Sequence, residues 1–144
     1  MTDTLTRAEI TSELNMADAA EVIALSYLCL ADDADVVVTR PPVVGTVVTQ
    51  VREPIAEERF ILGDVMVTQA EVRRRGVDGW TMRMGADRLA ALAAAICATE
   101  YHADGPLREN VITLCEQTKA RRVAARAAEW ERLAPSIVEF EEIP

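Results

Sequence analysis

The alternation of apolar and polar positions divides the chain into a helical start, a strand-rich middle and a helical end. Residues 6–31 carry apolar side chains at helical intervals, in two short helices broken at Asn15-Met16-Ala17-Asp18. Asp18 stands where it can cap the second, whose Val22, Leu25, Ser26 and Cys29 fall on one face, and Asp32-Asp33 end it. From Asp35 the period changes. Val36-Val37-Val38-Thr39 predicts a short strand stopped by Pro41-Pro42. Thr46 to Arg52 predicts a second and Glu58 to Leu62 a third, with Pro54 in the connection. Gly63-Asp64 marks a turn or bulge, and Val65 to Arg73 predicts a fourth strand with Met66, Thr68, Ala70 and Val72 on one face. After a turn over Arg74 to Gly79, Trp80, Met82 and Met84 alternate with Thr81 and Arg83 as in a half-buried fifth strand. Short strands joined by short turns favour an antiparallel meander over a βαβ arrangement.

Gly85 closes the sheet region and a helix opens at once, with Asp87 in its first turn and Leu89, Leu92, Ala93 and Ile96 as its apolar stripe. Asp104-Gly105-Pro106 ends it. A long helix follows over Arg108 to Leu133, with Val111, Leu114, Cys115 and Thr118 on one face, then Val123, Ala127 and Trp130 on a shifted stripe, and Pro135 as the stop. Residues 134–144 hold Ile137, Val138, Phe140 and Ile143, too apolar for a purely solvated end, and read as an arm that packs on something, a second chain included. The expectation is an α+β fold: a central antiparallel β-meander at about residues 35–84, flanked by N-terminal helices and two C-terminal helices. The 144 residues suit one domain, 1–144, with residues 134–144 as its C-terminal arm.

Charge refines this picture. The net −9 is concentrated at the ends, −6 within residues 1–34 and −3 within 134–144, around a neutral middle. Such ends are solvated faces or docking sites for a basic partner. With 4% aromatic residues and this charge, the chain lacks both the stacking platform and the positive field that nucleic acid requires. No stretch approaches the length of a membrane span and no secretory signal opens the chain, so the expected setting is cytoplasmic. Cys29, Cys97 and Cys115 are widely spaced, in apolar helical contexts, as free thiols in a reducing compartment would be.

Material for an active site is scarce. His102 is the single imidazole and sits at a helix end, where a structural role is commonest; no metal-ligand spacing surrounds it or the cysteines. Glu57 and Glu58 are adjacent, so their carboxylates diverge in a strand or loop. Ser12, Ser26 and Ser136 lack a nucleophile elbow, and the glycines form no phosphate-binding loop. Arg73-Arg74-Arg75 is either an anion site at a strand end or a solvated turn. The residues by themselves assign no catalytic group and no metal.

Two stretches resemble the PhnG family: Val38-Thr39-Arg40-Pro41-Pro42-Val43-Val44-Gly45, and Arg59-Phe60-Ile61-Leu62-Gly63-Asp64-Val65-Met66-Val67-Thr68. So do Gly79-Trp80 and Met84-Gly85-Ala86-Asp87 before an alanine-rich helix. The resemblance runs over about residues 36–100. Gln69 and Ala86 stand where family members usually carry Arg, and Glu141-Glu142 replace a basic ending. The resemblance implies an accessory subunit of the carbon–phosphorus lyase core complex, in the step that displaces adenine from ATP and joins a phosphonate to the ribose C1. It implies PhnH-, PhnI-, PhnJ- and PhnL-like partners, two copies in a hetero-oligomer, no cofactor on this chain alone, and ATP and phosphonate as substrates of the complex. The alternative is a divergent, non-enzymatic scaffold. Arg40, Arg59, Arg73 and Arg83 are the candidates for phosphate or partner contact, and Gly45, Gly63 and Gly85 for backbone conformation.

Overall fold

The computed structural model describes residues 5–32 and 35–138. Two short helices, α1 (Arg7–Met16) and α2 (Ala19–Cys29), precede strands β1 (Val36–Arg52), β2 (Arg59–Arg74) and β3 (Val77–Met84), and α3 (Arg88–His102) and α4 (Arg108–Leu133) follow. The sheet is antiparallel in the order β1-β2-β3, so the α+β meander is as expected. A 3₁₀ turn over Ala134–Ser136 follows α4 at Pro135. Phe140 and Ile143 of the expected arm lie outside the described residues.

The helix boundaries follow from local capping chemistry. Thr6 and Glu9 form a reciprocal capping box at α1. Asp18 accepts from the Ala20 and Glu21 N–H groups at α2, and Asp87 accepts from the Ala90 N–H as the N-cap of α3 rather than a first-turn residue. The strands are longer and fewer than the five expected. Pro41-Pro42 does not stop β1; the register slips between Arg40, opposite Glu71, and Val43, opposite Gln69, leaving one extra residue on β1. An edge strand with a bulge accommodates prolines because one of its sides needs no ladder donors. Gly63, at φ +151°, sits at a further bulge that carries β2 through what the sequence read as a break between strands.

The core lies between the helices and one face of the sheet. Ile10 and Leu14 of α1, Val22, Leu25 and Cys29 of α2, and Val111, Leu114 and Cys115 of α4 close around α3. Residues Ala93 to Glu100 of α3 are all buried, whereas Leu89, expected on its apolar stripe, is 52% exposed. Space decides this: a helix covered on all sides at short range takes alanine where leucine will not fit. At Gly79 of β3 a Cβ would lie 2.1 Å from the Ala95 carbonyl oxygen, so strand and helix touch backbone to backbone there. Consequently Gly79 and Thr81 face the helices, while Trp80 points to the opposite, uncovered face. Apolar alternation alone would have turned this strand the other way.

The interior also holds an ion pair. Arg74 and Glu100 have fully buried side chains 2.5 Å apart. Arg74 reaches Asp32 at 2.7 Å and donates to the Cys29 carbonyl, while Glu100 accepts from the Leu107 N–H at 2.8 Å. Gly105 passes so close that a Cβ there would meet the Glu100 carboxylate at 2.3 Å. Burial disfavours the guanidinium charge, but the carboxylates of Glu100 and Asp32 outweigh it and hold the Arg74 pKa above its ordinary value. Arg74→Ala would leave the Glu100 charge buried without its cation. The expected loss, about 3–5 kcal/mol, is measurable as a lowered urea midpoint.

Candidate functional site

β3 pairs only with the Val67–Arg74 half of β2. The rest of the β1–β2 hairpin extends beyond the third strand as a two-stranded ribbon. Its tip is tied by Glu53, whose carboxylate accepts from the Ile55, Ala56 and Glu58 N–H groups; these bonds hold its pKa low. Ile55 at that tip is 93% exposed. Along the ribbon Val47, Val48, Phe60, Ile61, Leu62 and Met66 are exposed, and Val37, Val43 and Trp80 continue the apolar surface over the uncovered sheet face. A patch of this extent marks an interaction surface.

The four candidate arginines do not converge. Arg40 lies on the uncovered face, 3.1 Å from Glu71. Arg59 is exposed near the ribbon tip, twelve positions along β2 from Glu71, on the order of 40 Å away at strand rise. Arg73 makes a bidentate pair with Asp78, at 2.7 and 3.0 Å, which holds the Asp78 carboxyl below its usual range. Arg83 donates to the Leu14 and Ala17 carbonyls at 2.6 and 2.7 Å, placing a cation at the end of α1 where the dipole favours it. Burial lowers the Arg83 pKa, opposed by the nearby Asp87 and Asp18 charges. Of the three glycines, Gly63 and Gly85 have φ of +151° and +92°, while Gly45 needs no such freedom. Gly45 instead lines a shallow hollow of about 170 Å³ on the uncovered face, with Arg40, Gln69 and Met82. Gln69 donates to Glu71 at 3.3 Å there.

A larger cleft, about 560 Å³, opens where the end of α1 and start of α2 meet the end of β3 and the middle of α4. Asn15, Met16, Asp18, Arg83, Met84, Thr118, Arg121 and Arg122 line it. The Asn15 Oδ1 accepts from the Thr81 hydroxyl at 2.6 Å and the Met82 N–H at 3.2 Å. Arg121 pairs with Glu21 at 2.6 Å, and Arg122 pairs with the buried Glu13. Thr118, Arg121 and Arg122 share one helix face by their spacing, a signal present in the sequence; Asn15 and Arg83 reach the cleft only through tertiary packing.

His102 and the cysteines are held by the fold. His102 Nδ1–H donates to the Asp78 carbonyl at 3.0 Å, and burial lowers the ring's pKa below 6.5. The three cysteines are buried, Cys97 and Cys115 donate to the Val22 and Ile10 carbonyls, and burial pushes the Cys115 thiol up to about 12. Among the described residues no three His, Cys, Asp or Glu side chains gather as a metal site, and no helix is long and apolar enough to cross a membrane.

The family model described as phosphonate metabolism protein PhnG matches residues 5–143, nearly the whole chain. The chain belongs to the PhnG family. No curated protein matches it. Membership places it in phosphonate metabolism and supports the resemblance seen in the strand region. Ala86 is an exposed residue in the turn between β3 and α3.

Two measurements check these roles. Arg83→Ala should lower unfolding free energy by about 1–3 kcal/mol, because two buried carbonyls lose a charged donor. Arg40→Ala and Arg73→Ala, which remove exposed pairs, should leave the midpoint of the same urea titration nearly unchanged. As to pH, the His102 pKa lies below its unfolded value, so its contribution is complete above pH 6.5 and declines as pH falls through the folded pKa. His102→Gln should flatten the stability profile just below pH 6.5, read by thermal melts across that window.

Proposed function

We propose that this chain is an accessory, cytoplasmic subunit of the carbon–phosphorus lyase core complex. It would serve the step in which ATP loses adenine and the ribose C1 takes up a phosphonate, giving a ribose 1-phosphonate 5-triphosphate. PhnH-, PhnI-, PhnJ- and PhnL-like chains are its proposed partners, with two copies of this chain in the hetero-oligomer. The observation that carries the reading is the ribbon beyond β3, apolar and exposed at Val48, Phe60, Ile61, Leu62 and Met66. An isolated two-stranded ribbon is marginal in water, so a partner surface that completes it would stabilise both. Family membership supplies the metabolic setting.

In this role the chain supplies geometry and not a nucleophile or base. Holding two reacting subunits in register lowers a barrier by removing translational and rotational freedom before reaction. The three-stranded part of the sheet is backed by the helical layer and holds the ribbon out beyond it for that purpose.

Co-expression of the tagged chain with the PhnH-, PhnI- and PhnJ-like subunits, followed by light scattering, tests the proposal. A stoichiometric complex is expected. A Val48→Ser, Ile61→Ser, Leu62→Ser variant should keep its melting temperature, since these side chains are already exposed, yet fail to enter the complex. Recovery of the wild-type chain alone, with all partner subunits soluble, would reject the subunit role in favour of a free-standing scaffold.

A further inference from the structure

We propose that the cleft between α1, the end of β3 and α4 binds a phosphoryl or phosphonyl dianion that carries an organic group. The inference rests on the phosphonate reading above and names a ligand class and a site for it. Its basis is an unusual concentration of unsatisfied polarity. Thr118 is 6% exposed, and its hydroxyl has no hydrogen-bond partner. The Nε of Arg122, also of the lining, is buried and unpartnered as well. Buried polar atoms are almost always satisfied by protein, water or ligand, so two orphan donors at one place call for an occupant.

The available chemistry is mostly donor chemistry. Thr118 offers a hydroxyl and Arg122 an Nε–H. Because the Asn15 Oδ1 is committed to the Met82 N–H, its amide nitrogen is left as a further donor. Arg83, Arg121 and Arg122 add three guanidinium charges, and Asp18, the single acid of the lining, spends its Oδ1 on the α2 cap. Glu21 and Glu13 hold Arg121 and Arg122 in place, which fixes their geometry before a ligand arrives. The opposite wall is apolar: Met16 and Met84 are exposed by 46% and 78%, and flexible thioethers suit an organic substituent of variable shape. Inorganic phosphate would leave that wall unused.

Titration of the full 144-residue chain with methylphosphonate, ATP and inorganic phosphate, by calorimetry and by amide and side-chain NMR shifts, tests the site. The expected result is saturable binding of methylphosphonate, of ATP, or of both, tighter than inorganic phosphate, with the Asn15 side-chain amide among the shifted signals. The first two probes separate a phosphonate from a nucleotide as the source of the dianion. Thr118→Val keeps the side chain's shape and should weaken binding about tenfold, as loss of a hydrogen bond to a charged group does. Arg121→Gln, at an exposed pair, should weaken it severalfold without affecting the fold, which a thermal melt confirms. No saturable binding at millimolar concentrations, or binding indifferent to both substitutions, overturns the site; equal affinity for inorganic phosphate overturns the organic substituent. A chain that binds but enters no complex would sink the subunit reading and leave this inference standing, and a chain that assembles but binds none of the probes would do the reverse.

Discussion

The Arg74–Glu100 ion pair is the interaction on which the other arrangements depend. It joins the last residue of β2 to the last full turn of α3, and through Asp32 and the Cys29 carbonyl it holds the exit from α2. Through Glu100 Oε1 it fixes the Leu107 N–H at the start of α4. Four elements thus meet at one charge cluster beside the hydrophobic core. Such a pair adds little net stability over an apolar substitute, because desolvation offsets most of the attraction. What it adds is register: an arginine shifted by one residue along β2 would point to the other face of the sheet and leave Glu100 uncompensated.

That register determines the surface. With Thr68, Ala70, Val72 and Arg74 turned to the helices, Gln69, Glu71 and Arg73 face outward beside Trp80 and Met82. Helices cover one side of the sheet only, and β3 ends at Met84, opposite Val67. The remaining length of β1 and β2 has no third strand and no helical layer. Gly79 contributes by letting α3 sit directly on β3. The same packing brings Arg83 to the end of α1 and thereby forms one wall of the arginine-lined cleft. The docking face and the cleft are therefore consequences of a single choice of strand orientation, one on each side of the sheet.

Much of this was legible in the chain itself. The helix boundaries were, because caps act over three or four residues: Asp18, Asp87 and Pro135 work locally. The inward face of the N-terminal half of α4 was legible for the same reason, since Val111, Leu114, Cys115 and Thr118 recur at helical spacing and all four are buried. The α+β order, the bulge at Gly63 and the PhnG-like segments also follow from neighbouring residues. The stripe of Val123 and Trp130 was equally visible, but the structure leaves it exposed at 57% and 62%, because the body ends before α4 does.

Other features were decided only when distant segments met. Whether Pro41-Pro42 ends a strand depends on whether that strand lies at an edge, which is a property of the sheet. Whether an arginine binds a ligand, pairs at the surface or anchors the core depends on what packs against it: Arg73, Arg74 and Arg75 are consecutive, yet the middle one alone is fully buried. The orientation of β3 was set by the distance between Gly79 and Ala95, and short-range van der Waals exclusion overrides hydrophobic alternation there. The sequence by itself determined which elements form, through caps, periodicity and turn residues that act over a few positions. The tertiary structure decided which faces are buried, which charges are paired and which surfaces remain open, because those depend on contacts between residues far apart in the chain.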